Sequence, residues 1–190
     1  MKMKSVRDVT IPTLVLTAVT LIVSALLVIT YNFTKVEQVG DLSAKDIKAA
    51  KILFEHSENF STLDVEGLDE KIINVIVPDN DSGVAVEIET KGYSNGLVIM
   101  VAMDDSGAIT GITVVTSSET PGLGSAIGEE DFTKQFIGKS SSPLTSVKGE
   151  AKGDTEIVAI SGATISSNAA IECANLALES YPAIKEATAQ

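Results

Sequence analysis

The stretch Ser161–Ser167 has the residue types of an anion-binding turn. It reads Ser-Gly-Ala-Thr-Ile-Ser-Ser and lies between an alternating apolar run, Thr155–Ile160, and a helical pattern over Asn168–Leu178. Small and hydroxyl residues between a strand and a helix can present free backbone N–H groups to an anion, and the helix dipole adds to the attraction. An ordinary turn with Ser166 or Ser167 as the helix N-cap explains the same pattern. The stretch alone leaves both interpretations open.

Two further glycine-rich stretches follow or precede strand patterns, where binding loops usually occur. Gly92–Gly96 contains Tyr93, and Glu119–Gly124 reads Glu-Thr-Pro-Gly-Leu-Gly. In the second stretch Pro121 fixes a turn, and the two glycines allow the backbone to approach a flat or bulky group. Leu123 between them offers an apolar contact. A loop with demanding backbone dihedrals would need the same residues.

Composition excludes several classes of protein. The formal net charge of −12 argues against nucleic acid as a partner. The lone Cys173 excludes an internal disulfide and a multi-cysteine metal or iron–sulfur site, and its place on an apolar helix face predicts a buried thiol. The lone His56 is given no role. We therefore expect no Ser–His or Cys–His nucleophile, no catalytic residues and no metal site.

The elements that must position these stretches form an α+β pattern. A helix is predicted over Leu42–Phe60 with Ser43 as its cap, and a helical stretch over Glu129–Ile137 interrupts the strands. Asp104-Asp105-Ser106-Gly107 is a turn signal that predicts a hairpin. The strand patterns cover Lys71–Val77, Val84–Thr90, Leu97–Met103 and Ala108–Thr116. We expect a strand-rich domain with packing helices.

The uncharged run Ile11–Tyr31 predicts a single transmembrane helix, because about 20 apolar residues span a bilayer. Lys2, Lys4 and Arg7 before it place the N-terminus in the cytoplasm by the positive-inside rule. A cleaved signal peptide is the alternative, although the run is longer than a signal core and no A-x-A site closes it. The expected organisation is residues 1–10 cytoplasmic, 11–31 transmembrane, 32–60 a helical linker and 61–190 an extracytoplasmic domain.

Taken together, the three stretches resemble the FMN-binding domain family of membrane redox complexes. The order and spacing of Gly92-Tyr93 with Gly96, of Glu119–Gly124 and of Ser161–Ser167 fit that family. Within it, the chain is similar to the G subunits of Rnf-type ferredoxin:NAD+ oxidoreductases, which translocate ions. A relative is the C subunit of the sodium-pumping NADH:quinone oxidoreductase, which remains an alternative.

The resemblance implies covalent FMN, joined through its phosphate to the hydroxyl of Thr164. It also implies that a separate Mg2+-dependent flavin transferase makes this phosphoester with FAD as donor, and that the Glu119–Gly124 loop lies against the flavin ring. The FMN-binding residues that it implies are Thr164, Ser161, Gly162, Ala163, Ser166, Ser167, Glu119, Thr120, Gly122, Leu123, Gly124 and Tyr93.

The chain departs from the family at two positions. Val158 stands where the transferase recognition pattern carries Asp, and Ser117 stands where the family often has His. Val158 favours a second alternative, a membrane-anchored binding domain that has lost the flavin. The expected function is nevertheless an electron-carrying subunit that does not catalyse alone. Its expected partners are the integral membrane subunits of an Rnf-type complex and, during maturation, the flavin transferase.

Overall fold

The structure, a computed structural model, describes residues 13–21, 23–24, 42–80 and 82–188. The chain divides into two compact units, Met1–Glu37 and Gln38–Gln190. In the first unit, residues 13–21 and 23–24 are helical. The second unit contains all the elements described below.

The expected fold, a transmembrane helix followed by a strand-rich domain, is wrong in its first element. Among the described residues, no helix is both long and apolar enough to cross a membrane. The single-pass topology rested on a membrane-spanning helix and is not retained. Residues 11–12, 22 and 25–31 of the predicted run lie outside the described residues.

A five-stranded antiparallel sheet forms the centre of the second unit. Its strands follow one another in chain order, each paired with the next. Short turns explain this order, because antiparallel neighbours need only a hairpin connection. The strands are β1 Phe60–Thr62, β2 Ile72–Pro78, β3 Val84–Thr90, β4 Leu97–Met103 and β5 Ile109–Thr116.

Both faces of this sheet are covered by helices. Along β4, Ile99 and Val101 pack in the core that includes the long C-terminal helix, whereas Met100 and Ala102 pack in a second core with the first helix of the unit. Strands buried on both faces read as continuous apolar runs instead of alternating ones. This accounts for the uninterrupted apolar sequence of β4.

The first helix of this unit, α1, spans Ala44–Leu53 and is shorter than the predicted Leu42–Phe60. The predicted cap at Ser43 is confirmed: its hydroxyl accepts from the Asp46 N–H, and the Asp46 carboxylate accepts from the Ser43 N–H at 2.7 Å. This reciprocal capping box satisfies two N–H groups at the helix start. Ala49 and Ala50 face the sheet and are buried.

The remaining elements connect the sheet to the C-terminal helix. A 3-10 turn at Gly124–Gly128, the short helix α2 at Glu130–Thr133 and a 3-10 turn at Lys134–Phe136 follow β5. Thr145–Val147 (β6) and Glu156–Val158 (β7) then pair in parallel. Helix α3 runs from Thr164 to Thr188 and carries Ala170, Ala174 and Ala177 against the sheet. These small residues let the helix approach the sheet closely.

Candidate functional site

The Ser161–Ser167 stretch is anchored at its start by strand β7. Gln135 brackets Val158, the last residue of β7: its Oε1 accepts from the Val158 N–H at 2.8 Å, and its Nε2 donates to the Val158 carbonyl at 3.3 Å. Ile157 beside it is fully buried in the core. Strand β7 therefore delivers the chain to a fixed point shortly before Ser161.

The chain turns from β7 into α3 through Gly162, whose φ is +80°. Glycine adopts this left-handed conformation without a Cβ penalty. The Ala163 carbonyl accepts from the Ser167 N–H at 2.9 Å, so α3 begins directly after Ala163. In the described part of the chain no group accepts a hydrogen bond from the N–H groups of Thr164–Ser166. Such free donors are expected in the first turn of a helix and attract anions.

The hydroxyl groups of this stretch differ in their availability. Ser167 is fully buried, and its hydroxyl is engaged by two backbone groups of the turn. Ser166 is 1% exposed, and its hydroxyl donates to Glu119 Oε2 at 2.5 Å. Thr164 is exposed at the first position of α3. Ser161, before the helix, is exposed as well, so the accessible hydroxyls of the stretch are those of Ser161 and Thr164.

Glu119 connects the three glycine-rich stretches. Its carboxyl accepts from the Ser94 N–H at 2.9 Å through Oε1 and from the Ser166 hydroxyl through Oε2. Its own N–H donates to Ser117 Oγ at 3.1 Å. The Glu119 side chain is only 6% exposed. The carboxyl is therefore a buried junction between loop 92–96, loop 119–124 and the first turn of α3.

The loop from Glu119 to Gly124 is a tight turn that presents Leu123. The Thr120 carbonyl accepts from the N–H groups of Leu123 and Ser125 at 3.1 and 3.2 Å, and Ser125 Oγ accepts from the Gly122 N–H at 3.0 Å. Gly122 has a φ of +72°. Leu123 is left 47% exposed, and a Cβ placed on Gly162 would lie 3.4 Å from it. The loop thus packs against the start of the helical stretch.

These three stretches enclose a cavity of about 480 Å³. Ligand pockets typically measure about 300–1,000 Å³. Its lining combines apolar side chains with hydroxyl groups and the backbone of the turn before α3. The residues that line it are Tyr93, Glu119, Thr120, Leu123, Gly124, Gly162, Ala163, Thr164, Ile165 and Ser166.

The structure brings most of the expected site residues together and leaves three aside. Ser161, Ser167 and Gly122 do not line the cavity. Sequence reasoning missed Ile165, which is 56% exposed and lines it beside Thr164. The available signal was an apolar residue enclosed by hydroxyl residues at a helix start.

The two departures from the family pattern also have defined places. Val158 is held by Gln135 and does not line the cavity, and the Ser117 hydroxyl accepts from the Glu119 N–H. The prediction for Cys173 is confirmed, because its thiol is fully buried in the core and burial raises its pKa to about 12. A thiol held neutral in this way is a packing group.

A family model matches the part of the chain that contains this arrangement. The family model described as the FMN-binding domain matches residues 92–179, which include the loops and the helix start that enclose the cavity. The resemblance to the FMN-binding domain family is therefore confirmed.

The chain is also similar to individual proteins with assigned names. The chain is 42% identical over 94 residues to the G subunit of the Na(+)-translocating ferredoxin:NAD(+) oxidoreductase complex of Acetobacterium woodii, a match covering 48% of this chain and 45% of that protein. It is 28% identical over 187 residues to the G subunit of the ion-translocating oxidoreductase complex of Methanosarcina acetivorans, covering 93% and 96%. The first match and a similar one in Clostridium ljungdahlii span about half the length of those relatives.

A solved structure supports the fold. The crystal structure of Shewanella oneidensis NqrC aligns with a TM-score of 0.50 at 20% sequence identity, covering 72% of this chain and 74% of that one. At this identity the likeness concerns the fold alone. The relatives above are named as G subunits of ion-translocating redox complexes. NqrC has a similar fold.

Proposed function

We propose that this protein is an electron-carrying subunit of an Rnf-type, ion-translocating redox complex and that it holds FMN as a phosphoester on Thr164. The observation that carries the proposal is the place of the Thr164 hydroxyl: Ser161 and Thr164 are both exposed, and of the two Thr164 lies on the wall of the cavity, at a helix start. The family match and the relatives named as G subunits support it.

The residues around Thr164 fit a phosphate group. The N–H groups of Thr164–Ser166 point out of the first turn of α3, where the helix dipole favours negative charge. Gly162 and Ala163 place no large side chain beside them. A phosphoester on Thr164 Oγ1 would therefore be received by backbone donors of the same turn.

In the proposed attachment step, FAD is the donor of the FMN group, as the family resemblance implies. The Thr164 hydroxyl loses its proton, and its oxygen forms a bond to the phosphorus of the FMN half. The P–O bond that joins this phosphorus to the AMP half breaks, and AMP leaves. The flavin transferase supplies Mg2+ for this step, and the chain described here supplies the hydroxyl and the anion-binding turn.

The apolar side of the cavity fits a flavin ring. Tyr93, Leu123 and Ile165 are 71%, 47% and 56% exposed, and all three line the cavity. Large exposed apolar side chains grouped around one cavity indicate a ligand or partner surface. When bound, FMN supplies one-electron transfer chemistry, and these side chains would exclude water from the ring.

A direct test is expression of the full chain with and without a flavin transferase. We expect a protein band that keeps flavin fluorescence after denaturation and gel separation, but only when the transferase is present. A colourless band in its presence would favour a binding domain that has lost the flavin. Co-purification with integral membrane subunits tests the proposed partners separately.

A further inference from the structure

We propose that Glu119 is a positioning residue that acts through Ser166 to fix the first turn of α3, and with it the Thr164 hydroxyl. The effect on flavin attachment rests on the proposed function, whereas the effect on the helix start rests on geometry alone. Glu119 and Ser166 lie 47 residues apart in the sequence. Their hydrogen bond is therefore a long-range tie between the loop and the helix.

Both oxygens of the Glu119 carboxyl accept hydrogen bonds from within the protein. One oxygen accepts from the Ser94 N–H and the other from the Ser166 hydroxyl, and both residues of the Glu119–Ser166 pair are less than a tenth exposed. Buried carboxyls are costly unless they are hydrogen-bonded, so these two donors also stabilise Glu119 where it lies. The side-chain oxygens of Glu119 and Ser166 thus have hydrogen-bond partners within the protein.

Two glycines make room for this carboxyl. A Cβ on Gly92 would overlap Glu119 Oε1, and a Cβ on Gly124 would overlap Glu119 Oε2 and lie 2.6 Å from Ser166 Oγ. Gly124 is not in the left-handed region, so its lack of a side chain serves space and not backbone conformation. Gly92 and Gly124 thus leave free the space that the Glu119 carboxyl occupies.

The position of Ser166 makes the tie relevant to Thr164. Ser166 lies two residues after Thr164 in the first turn of α3, where the backbone N–H groups lack intrahelical acceptors. Ser167 bonds only to the backbone of the same turn, whereas Ser166 ties this helix start to a separate loop. Because attachment of a phosphate requires the hydroxyl within a fraction of an ångström of its place, a looser first turn would slow that reaction.

The test measures the rate of flavin attachment to the full chain by purified flavin transferase with FAD, followed by intact mass. Ser166→Ala should slow attachment on the order of tenfold, the equivalent of one lost hydrogen bond of about 1.4 kcal/mol. Glu119→Ala, which also loses the hydrogen bond from the Ser94 N–H, should slow attachment at least as much. Glu119→Gln should stay within about threefold of the wild type, because its amide oxygen can still accept from Ser166, although its amide nitrogen cannot accept from the Ser94 N–H. The double variant should be no slower than Glu119→Ala, because the two residues act as one unit.

Glu89→Gln, an exposed acid on β3, is the matched control and should keep the wild-type rate. Additive losses in the double variant, or wild-type rates in Ser166→Ala and Glu119→Ala, would overturn the proposal while leaving attachment at Thr164 intact. If Glu119→Ala does not fold, Ser166→Ala and Glu119→Gln decide the question.

Hydrogen exchange tests the positioning role without flavin. In Ser166→Ala, the amides of Ser167 and Asn168 should exchange on the order of tenfold faster than in the wild type. Amides in the middle of α3 should not change. If the wild type accepts no flavin, the proposed function fails. Unchanged exchange at Ser167 and Asn168 in Ser166→Ala would separately overturn the positioning role of Glu119.

Discussion

The Ser166 hydroxyl donates a 2.5 Å hydrogen bond to Glu119 Oε2, which joins the loop after β5 to the start of helix α3. Both residues were expected to contact the cofactor, but each has its polar group engaged inside the protein. Thr164 remains exposed beside them on the wall of the cavity. The site therefore separates residues that build the turn from the residue that can react.

The space around this pair is tested by Gly124→Ala. The added Cβ would overlap the Glu119 carboxyl, so we expect the free energy of unfolding to fall by about 1–3 kcal/mol. Gly128→Ala is the matched control, since its Cβ would lie 3.5 Å from Val114, an ordinary contact. Urea unfolding measures both. Equal stabilities of the two variants would contradict the close packing at Gly124.

The apolar wall of the cavity is tested by Leu123→Asp. A charge there would have no evident partner against a flavin ring, so noncovalent docking of the ring should weaken while attachment at Thr164 persists. Visible absorbance and the flavin midpoint potential measure the change. Ile137→Asp, 58% exposed but outside the cavity lining, is the control. An unchanged spectrum and potential in Leu123→Asp would show that this loop does not meet the ring.

A buried acid under α1 predicts a pH dependence of stability. Burial raises the pKa of Glu87 from 4.5 to about 7; the 2.6 Å hydrogen bond from Asn74 opposes the shift, and the neighbouring Asp46 carboxyl adds to it. The folded protein then keeps a proton on Glu87 at pH values where the unfolded chain has lost it. The free energy of unfolding should therefore fall by about 2–3 kcal/mol as pH rises from about 4.5 to 7.

Glu87→Gln should remove this fall, because the amide still accepts from Asn74 and carries no charge. The exposed Glu89→Gln on the same strand should keep it. Urea unfolding between pH 5 and 8.5 distinguishes the variants. Parallel curves for the wild type and Glu87→Gln would show that the Glu87 carboxyl is not the titrating group.

The single thiol provides a probe of the C-terminal helix. Cys173 is fully buried with its pKa raised to about 12 by burial, so a thiol reagent at pH 8 should leave the folded protein unmodified and label it in denaturant. A Lys91→Cys variant offers an exposed control thiol for the same assay. Rapid labelling of Cys173 under native conditions would mean that α3 leaves the sheet readily.

The strands could be predicted from the sequence because apolar runs between turn signals mark their ends. β3 and β4 occupy the predicted Val84–Thr90 and Leu97–Met103. Helix α3 begins at Thr164 instead of Asn168, because hydroxyl and β-branched residues are weak helix formers and tertiary contacts hold them in the first turn. The prediction of a membrane-spanning helix was wrong, since apolar composition alone does not establish a helix of sufficient length.

The site was predictable only in part. The sequence places Thr164 at a strand-to-helix turn, and the structure has it there, on the cavity wall. The pairing of Glu119 with Ser166 could not be predicted, because the two lie 47 residues apart and both types also bind ligands. The contact with Ser94 uses a backbone N–H, for which residue type carries no signal.

The attachment hydroxyl is tested by Thr164→Val and Thr164→Ser. Valine keeps the shape of the side chain, so stability should change by no more than about 1 kcal/mol, whereas covalent flavin should be absent. Serine should retain some flavin, because a primary hydroxyl can also be esterified. In-gel flavin fluorescence after expression with a flavin transferase measures both. Full fluorescence in Thr164→Val would exclude Thr164 as the attachment site.

The central claim is tested most directly by the mass of the peptide that contains Thr164, isolated from the full chain after expression with a flavin transferase. We expect this peptide to be heavier by one FMN less one water, and fragmentation should place the added mass on Thr164. An unmodified peptide, or the added mass on Ser161 or Ser166, would contradict the account.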